Sequence, residues 1–124
     1  MKPLRVALLQ NDSGTLIALC SSLGHHFHSI HAAPSLEELR CIIAKERCEV
    51  AILDMELAPL SEIERLRRDF SGICIVCTHR LADEEMWTAA LSAGAADMCS
   101  SLDTHSIVTA ALRHSPPYAQ TMAA

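Results

Sequence analysis

The chain has 124 residues, the length of one domain, and half of them are hydrophobic, as in a globular rather than a disordered protein. The formal net charge is −5 and no run is rich in Lys and Arg, which argues against nucleic-acid binding by these residues. No apolar run reaches the roughly 18–20 residues of a membrane span. The apolar stretch near the N-terminus is too short for a signal peptide, so we expect a cytoplasmic protein.

Apolar segments bounded by turn residues predict five β-strands, and segments with helical spacing of apolar residues lie between and after them. The first strand ends before Asp12 and Ser13, either of which is suited to cap the next helix. In chain order, we predict a strand at 4–9, a helix that ends near Gly24, a strand at 27–32, a helix opened by Pro34-Ser35, a strand at 49–53 that ends at Asp54, a helix at 61–69, a strand at 73–77, a helix at 83–93, a strand at 96–99 and a helix capped by Asp103 or Thr104 that runs to Arg113.

Strands that alternate with helices of this length predict right-handed crossovers and a parallel sheet covered on both faces. We predict an α/β, flavodoxin-like fold over residues 1–114, with a doubly wound five-stranded parallel sheet of order 2-1-3-4-5 and helices on both faces. Residues 115–124 are predicted to be a tail or the start of a linker. Because functional sites of such sheets lie at the carboxyl ends of the strands, one crevice should collect several polar residues. These residues are Gln10, Asn11, Asp12, Asp54, Thr78, Ser100 and Ser101.

Three segments resemble the receiver domain of response regulators in two-component signalling, and the resemblance extends over residues 4–114. The segments are 50–55 (Val-Ala-Ile-Leu-Asp-Met), 73–78 (Ile-Cys-Ile-Val-Cys-Thr) and 90–97 (Ala-Leu-Ser-Ala-Gly-Ala-Ala-Asp). In that family, the aspartate at the end of the third strand accepts a phosphoryl group from a histidine kinase, and Asp54 matches it. A Thr or Ser after the fourth strand acts as the switch hydroxyl on the phosphoryl oxygen, and Thr78 matches it.

Other features of the family's pocket are replaced in this chain. The two acids after the first strand, which hold Mg²⁺ in the family, fall on Gln10 and Asn11. The lysine after the fifth strand, which neutralises the phosphoryl charge, falls on Ser101. The switch aromatic of the fifth strand falls on Met98. The resemblance therefore implies a degenerate acidic pocket.

Weak metal affinity is expected from these replacements, because Mg²⁺ is a hard cation that is usually held by carboxylates. Asp12, Asp54 and the backbone carbonyl of Glu56 are the ligands that remain, so we expect no cofactor, or Mg²⁺ at most weakly. Without metal or lysine, the negative charge that develops in phosphoryl transfer has little electrostatic stabilisation. His79, next to Thr78, would either supply a cation when protonated or block the acceptor.

We therefore expect an atypical receiver domain, a signalling module rather than an enzyme, that acts by protein–protein contact with weak or absent phosphorylation at Asp54. One alternative is a phosphorylation-competent receiver that takes a phosphoryl group from a histidine kinase at Asp54. Another alternative is a flavodoxin-like module that binds a small molecule or a metal in the crevice. The first two hypotheses therefore differ in whether Asp54 accepts a phosphoryl group.

Protein partners are implied by the resemblance: a histidine kinase or another signalling protein, or a second copy in a homodimer. Receivers commonly use the fourth helix, the fifth strand and the fifth helix for such contacts. The chain's single Trp is an interface anchor if it is exposed and a core residue if it is buried. This face carries Met86, Trp87, Met98, Ile107 and Val108.

Charged residues at the mouth of the crevice and along the third helix have simpler interpretations. Glu56 and Arg80 lie two residues after Asp54 and Thr78, and they form either an exposed ion pair or a contact with a partner kinase. The third helix is predicted to present a solvated charged face. That face consists of Glu62, Glu64, Arg65, Arg67 and Arg68.

The cysteines and histidines are predicted to be structural. Most of the six cysteines lie in apolar segments and are expected to be free thiols, and Cys74 and Cys77, although spaced as CxxC, would point to opposite faces of a strand. The histidine-rich segment favours a solvated edge strand over a metal site. On that strand, His26 and His28 would share one face, and His25 and His31 the other.

Overall fold

Every apolar segment that predicts a strand forms one, and each strand is followed by a helix. The computed structural model describes residues 2–115, so most of the predicted tail at 115–124 lies outside the described residues. The elements are β1 (Lys2–Leu9), α1 (Ser13–Gly24), β2 (Phe27–Ala33), α2 (Leu36–Glu46), β3 (Val50–Asp54), α3 (Leu60–Asp69), β4 (Cys74–His79), α4 (Glu84–Ala93), β5 (Asp97–Ser100) and α5 (Thr104–His114).

The five strands form one parallel sheet in the order β2-β1-β3-β4-β5, which confirms the predicted flavodoxin-like fold. The central strands are aligned so that Leu9 of β1 lies beside Leu53 of β3, and Asp54 lies beside Thr78 of β4. The carboxyl ends of β1, β3 and β4 therefore meet at one edge of the sheet. After β2 the chain crosses to the other side of β1 to form β3, and a crevice opens between β1 and β3 in folds of this class.

Two hydrophobic clusters cover the two faces of the sheet. Because successive side chains on a strand alternate, β3 contributes Ala51 and Leu53 to one cluster and Val50 and Ile52 to the other. All four side chains are fully buried. A strand that is buried on both faces explains why β3 is continuously apolar until Asp54.

Helix starts are set by side chains that accept a hydrogen bond from the backbone N–H three residues later. Asp12, Ser35, Asp83 and Asp103 cap α1, α2, α4 and α5 in this way. Each cap of this type stabilises a helix by about 1 kcal/mol. Gly94 ends α4 with a φ of 116°, a left-handed conformation in which glycine is favoured.

Glu62 corrects the expectation that α3 presents only a solvated charged face, because its side chain is 2% exposed. Its two oxygens accept from Arg40 Nη1 at 2.7 Å and from Arg65 Nη1 at 3.3 Å. Arg40 also pairs with Asp69, and its guanidinium lies 5.6 Å from the centroid of the Phe70 ring. An ion-pair cluster therefore joins α2 to α3.

The cysteines are free thiols, as the sequence predicts. Cys74 packs in the cluster on one face of the sheet and Cys77 in the cluster on the other, so the CxxC spacing does not bring them together. Burial raises the pKa of the Cys77 thiol to about 12, which keeps it protonated. Cys48 and Cys99 are also buried, Cys20 is half-buried and Cys41 is exposed.

Two of the four histidines in the histidine-rich segment lie on β2, and the other two lie before it. β2 is an edge strand that begins at Phe27, both as expected, but His25 and His26 precede it and so do not lie on the strand. The predicted alternation of side chains therefore applies only to His28 and His31. Among residues 2–115, no three His, Cys, Asp or Glu side chains are grouped so that they could hold a metal ion.

Candidate functional site

Asp54 ends β3 as a fully buried carboxylate that accepts three hydrogen bonds. Its Oδ2 accepts from the backbone N–H of Asn11 at 2.8 Å and from Nε2 of Gln10 at 3.2 Å. Its Oδ1 accepts from the backbone N–H of Glu56 at 2.9 Å. Buried carboxylates need such partners, because removing the charge from water is costly. All three donors are uncharged.

The Gln10 side chain joins Asp54 to Thr78. Its Nε2 donates to Asp54, and its Oε1 accepts from the Thr78 hydroxyl at 3.3 Å. Thr78 is fully buried and Gln10 is 8% exposed. An amide can donate and accept at once, whereas an ionised carboxylate can only accept. Gln10 therefore makes a connection that an ionised aspartate at this position could not make.

Asp12 is turned toward α1 rather than toward Asp54. Its Oδ2 accepts from the Thr15 backbone N–H at 2.8 Å and from the Thr15 hydroxyl at 3.0 Å. These hydrogen bonds lower the pKa of Asp12 below its ordinary value. One oxygen of the Asp12 carboxylate, Oδ2, thus serves as the helix cap.

The residues at the crevice do not fit the Mg²⁺ site of the family that the sequence resembles. Both Asp54 oxygens accept protein hydrogen bonds, the Asp12 carboxylate caps α1, and positions 10 and 11 carry amides. Within the described part of the chain, no cluster of acids, histidines and cysteines is suited to a metal ion. Weak Mg²⁺ binding by Asp12, Asp54 and the Glu56 backbone carbonyl, which the sequence left open, stays a prediction.

Ser101 lies just after β5, where it is 2% exposed. Its backbone N–H donates to the His79 carbonyl at 3.1 Å, but its Oγ has no hydrogen-bond partner in the described residues. Ser101 lines a cavity of about 330 Å³ at the carboxyl edge of the sheet. The other lining residues are Gln10, Asn11, Asp12, Thr15, Glu56, Arg80 and Leu102.

Arg80 and Glu56 form the ion pair that was one of the two alternatives for these residues. Arg80 Nη2 lies 2.8 Å from Glu56 Oε1, and Arg80 Nε donates to the same carboxylate at 2.9 and 3.1 Å. The bond from Arg80 lowers the pKa of Glu56. Glu56 in turn raises the pKa of Arg80, and Asp54 and Asp12 add to that rise. Arg80 therefore supplies the positive charge at the crevice.

His79 ends β4, and no hydrogen bond joins its ring to Asp54 within the described residues, so the expectation that it blocks that carboxylate or adds a cation stays a prediction. Its Nδ1 accepts from the Leu81 backbone N–H at 2.9 Å. The ring lines an adjoining cavity of about 400 Å³ together with Glu56 and Arg80, which places His79 at the mouth of the crevice.

The carboxyl edge of the sheet brings together most, but not all, of the residues that the sequence predicts there. Gln10, Asn11, Asp12 and Ser101 line the cavity, while Asp54 and Thr78 lie buried beyond it. Ser100 is a correction, because it lines a separate cavity with Asp97 and Asp103. Thr15 and Leu102 were not predicted to line the site. The sequence does contain a signal for each: Thr15 lies three residues after the predicted cap Asp12, and Leu102 directly follows Ser101.

The face formed by α4, β5 and α5 differs from the expectation in what it exposes. Trp87 is 44% exposed and its Nε1 donates to Asp97 Oδ1 at 3.2 Å, so it is not a core residue, and its role as an interface anchor stays a prediction. Met98, Ile107 and Val108 are buried in the core instead. Met86 is half-buried and packs against the core. Trp87 is therefore the main apolar feature that this predicted face presents.

Solved structures of receiver domains share this fold. The N-terminal receiver domain of a two-component response regulator from Bacteroides fragilis has a TM-score of 0.81 at 20% identity, covering 91% of this chain and 97% of that one. The BeF3-activated receiver domain of Klebsiella pneumoniae RstA has a TM-score of 0.72 at 26% identity, covering 89% and 97%. HP1043, an orphan response regulator of H. pylori, has a TM-score of 0.74 at 17% identity, covering 86% and 95%.

These structural similarities confirm, at the level of fold, the resemblance to response regulator receiver domains. Comparison with protein-family models gives no match, and neither does comparison with curated proteins. No helix within residues 2–115 is long and apolar enough to cross a membrane.

Proposed function

We propose that this chain, which has the fold of a response regulator receiver domain, is an atypical receiver that signals by protein–protein contact without needing phosphorylation at Asp54. It acts as a signalling module rather than as an enzyme, and it needs no Mg²⁺ cofactor. The observation that carries the proposal is the Gln10 side chain, which bonds to Asp54 and to Thr78 at the same time.

Phosphoryl transfer to Asp54 is disfavoured by the charges around it. Asp12, Asp54 and Glu56 carry three carboxylates, and Arg80 carries one guanidinium, which leaves a formal charge of −2. The Arg80 side chain is already paired with Glu56. A phosphoryl group brings further negative charge, and catalysis of its transfer consists largely of positioning and neutralisation by cations. No such cation contacts Asp54 in the described residues.

Access to Asp54 is limited as well. Its carboxylate is fully buried, and the Gln10 amide and two backbone N–H groups occupy its oxygens. An incoming phosphorus atom would have to displace the Gln10 side chain. That displacement would leave the buried Thr78 hydroxyl without its partner.

Signalling does not need phosphorylation if the Gln10 amide takes the place of the phosphoryl group as the partner of the Thr78 hydroxyl. In the family that the sequence resembles, the Thr hydroxyl bonds to the phosphoryl oxygen. Here the Thr78 hydroxyl bonds to an uncharged side chain of the same domain. The Asp54–Thr78 connection therefore exists in the unmodified protein, and the signalling surface is set by partner binding.

The proposed partner is another signalling protein, such as a histidine kinase, or a second copy of this chain bound through α4, β5 and α5. The exposed Trp87 supports this surface, because Trp side chains are enriched among the residues that dominate binding energy at interfaces.

Beryllofluoride tests the proposal, since the Klebsiella neighbour is a BeF3-activated receiver domain. Amide resonances of the wild type should not respond at Asn11 or Glu56 when Mg²⁺ and beryllofluoride are added. A triple variant, Gln10→Asp with Asn11→Asp and Ser101→Lys, restores two acids and a lysine and should gain that response. An Asp54-dependent response of the wild type would overturn the proposal and favour the phosphorylation-competent alternative, for which the register of Asp54 with Thr78 is the supporting observation.

A further inference from the structure

We propose that the cavity beside Ser101 binds a primary alkylammonium group. The starting observation is Ser101, a residue that is 2% exposed and lines the cavity, and whose buried hydroxyl has no hydrogen-bond partner within residues 2–115. Buried hydroxyls are almost always hydrogen-bonded, and an unsatisfied one is unfavourable. A ligand that donates a hydrogen bond to the Oγ atom would remove that cost. The inference rests on the proposed function insofar as the crevice holds no Mg²⁺.

The sign of the ligand's charge follows from the groups around the cavity. Asp12 and Glu56 line it, and hydrogen bonds lower the pKa of both, so both are ionised at neutral pH. Arg80 offsets one of these charges, and the buried Asp54 adds another negative charge beyond Gln10. An anion would be repelled, whereas a monovalent cation would be attracted.

The chemical class of the cation follows from the lining atoms. A metal ion is disfavoured, because no cluster of acids, histidines and cysteines in the described residues is suited to one. An ammonium carries three N–H donors, which match separate hydroxyl, amide and carboxylate oxygens such as those of Ser101, Asn11 and Asp12. Leu102, 75% exposed at the rim, offers an apolar surface for the alkyl chain.

Two sources supply this chemistry: a free alkylamine, and the lysine side chain of a protein. Either source would enter the same cavity of about 330 Å³, which is lined both by the Glu56–Arg80 pair and by Ser101. Both sources present the same group to the cavity, and separate probes distinguish them.

The test is a titration of the whole chain with n-butylammonium chloride, followed by amide chemical shifts. We expect saturable shifts at Asn11, Ser101 and Leu102 that sodium chloride, tetramethylammonium chloride and 1-butanol do not reproduce. Ser101→Ala should weaken binding about tenfold, the effect of losing one hydrogen bond to a charged group. Ser101→Lys should abolish binding, because its own ammonium would occupy the cavity.

Ser71→Ala is the matched control, since Ser71 is exposed outside this cavity, and it should bind n-butylammonium as the wild type does. Shifts that tetramethylammonium reproduces, or that Ser101→Ala and Ser101→Lys leave unchanged, would overturn the inference as binding by charge alone. Parallel titrations with Nα-acetyl-lysine amide and spermidine identify the source: tighter binding of the first supports a protein lysine, and tighter binding of the second supports a free amine.

A parallel titration with MgCl₂ separates this inference from the proposed function. Magnesium-dependent shifts at Asn11 and Glu56 would contradict the proposed function. If MgCl₂ causes no chemical-shift changes and n-butylammonium also gives no saturable shifts, only the proposed ammonium site is overturned.

Discussion

The residue that most distinguishes this crevice is Gln10. A carboxylate at that position would bring a second negative charge close to Asp54, and two adjacent carboxylates raise each other's energy unless a cation neutralises them. The amide instead donates to Asp54 and accepts from Thr78, so three buried polar side chains satisfy one another. The replacement is compatible with the lack of a metal ligand set in the described residues.

Gln10→Ala should therefore destabilise the domain. It removes one donor from the buried Asp54 and leaves the buried Thr78 hydroxyl without its acceptor, which costs about 1–3 kcal/mol. Urea unfolding followed by circular dichroism measures the change in the free energy of unfolding. Asn11→Ala, at an exposed neighbour whose backbone bond to Asp54 is kept, should change stability by less than about 0.5 kcal/mol. Equal effects of the two substitutions would contradict the bridging role of Gln10.

At the scale of the secondary-structure elements, the ion-pair cluster between α2 and α3 shows how a charged side chain is stabilised in the interior. Glu62 is 2% exposed, and it is balanced by Arg40, which is 25% exposed, and by Arg65, which is 55% exposed. Its partner Arg40 is 22 residues away in the chain, on a different helix. Periodicity within α3 cannot reveal such a partner, which is why the sequence places Glu62 on the solvated face.

Arg40→Met should destabilise the domain by about 3 kcal/mol, because it leaves the Glu62 charge buried with only its contact to Arg65. Thermal and urea unfolding measure the loss. The double variant with Glu62→Met should recover most of it, since neither charge remains. Arg68→Met is the control: Arg68 is 70% exposed and pairs only with Asp69 in the described residues, at 3.7 Å. If Arg40→Met were as stable as Arg68→Met, the Arg40–Glu62 pair would contribute little to stability.

At the scale of the whole molecule, the strand order and the position of the crevice could be predicted from the sequence. β3 is buried along its whole length and β4 along nearly all of it, so both strands are visible in the sequence as apolar runs. Polar residues directly follow these runs. Strand alternation also separates Cys74 from Cys77 correctly. These features depend on local spacing, which a single sequence contains.

Features that depend on tertiary contacts were not predictable in the same way. Met98 and Val108 were expected on a contact surface, but both are buried in the core, because their neighbours come from distant parts of the chain. The turn of Asp12 toward Thr15 was an open alternative, and only the folded crevice decides it. The Ser101 hydroxyl, which has no hydrogen-bond partner among the residues that the structure describes, has no signature in the sequence.

The most direct test of the central claim, that this crevice does not depend on phosphorylation of Asp54, is the intact mass of the wild-type chain after incubation with acetyl phosphate and Mg²⁺. We expect the mass to remain that of the unmodified protein under conditions that label the triple variant with two restored acids and a restored lysine. A stoichiometric gain of one phosphoryl group by the wild type, lost in Asp54→Asn, would contradict the claim.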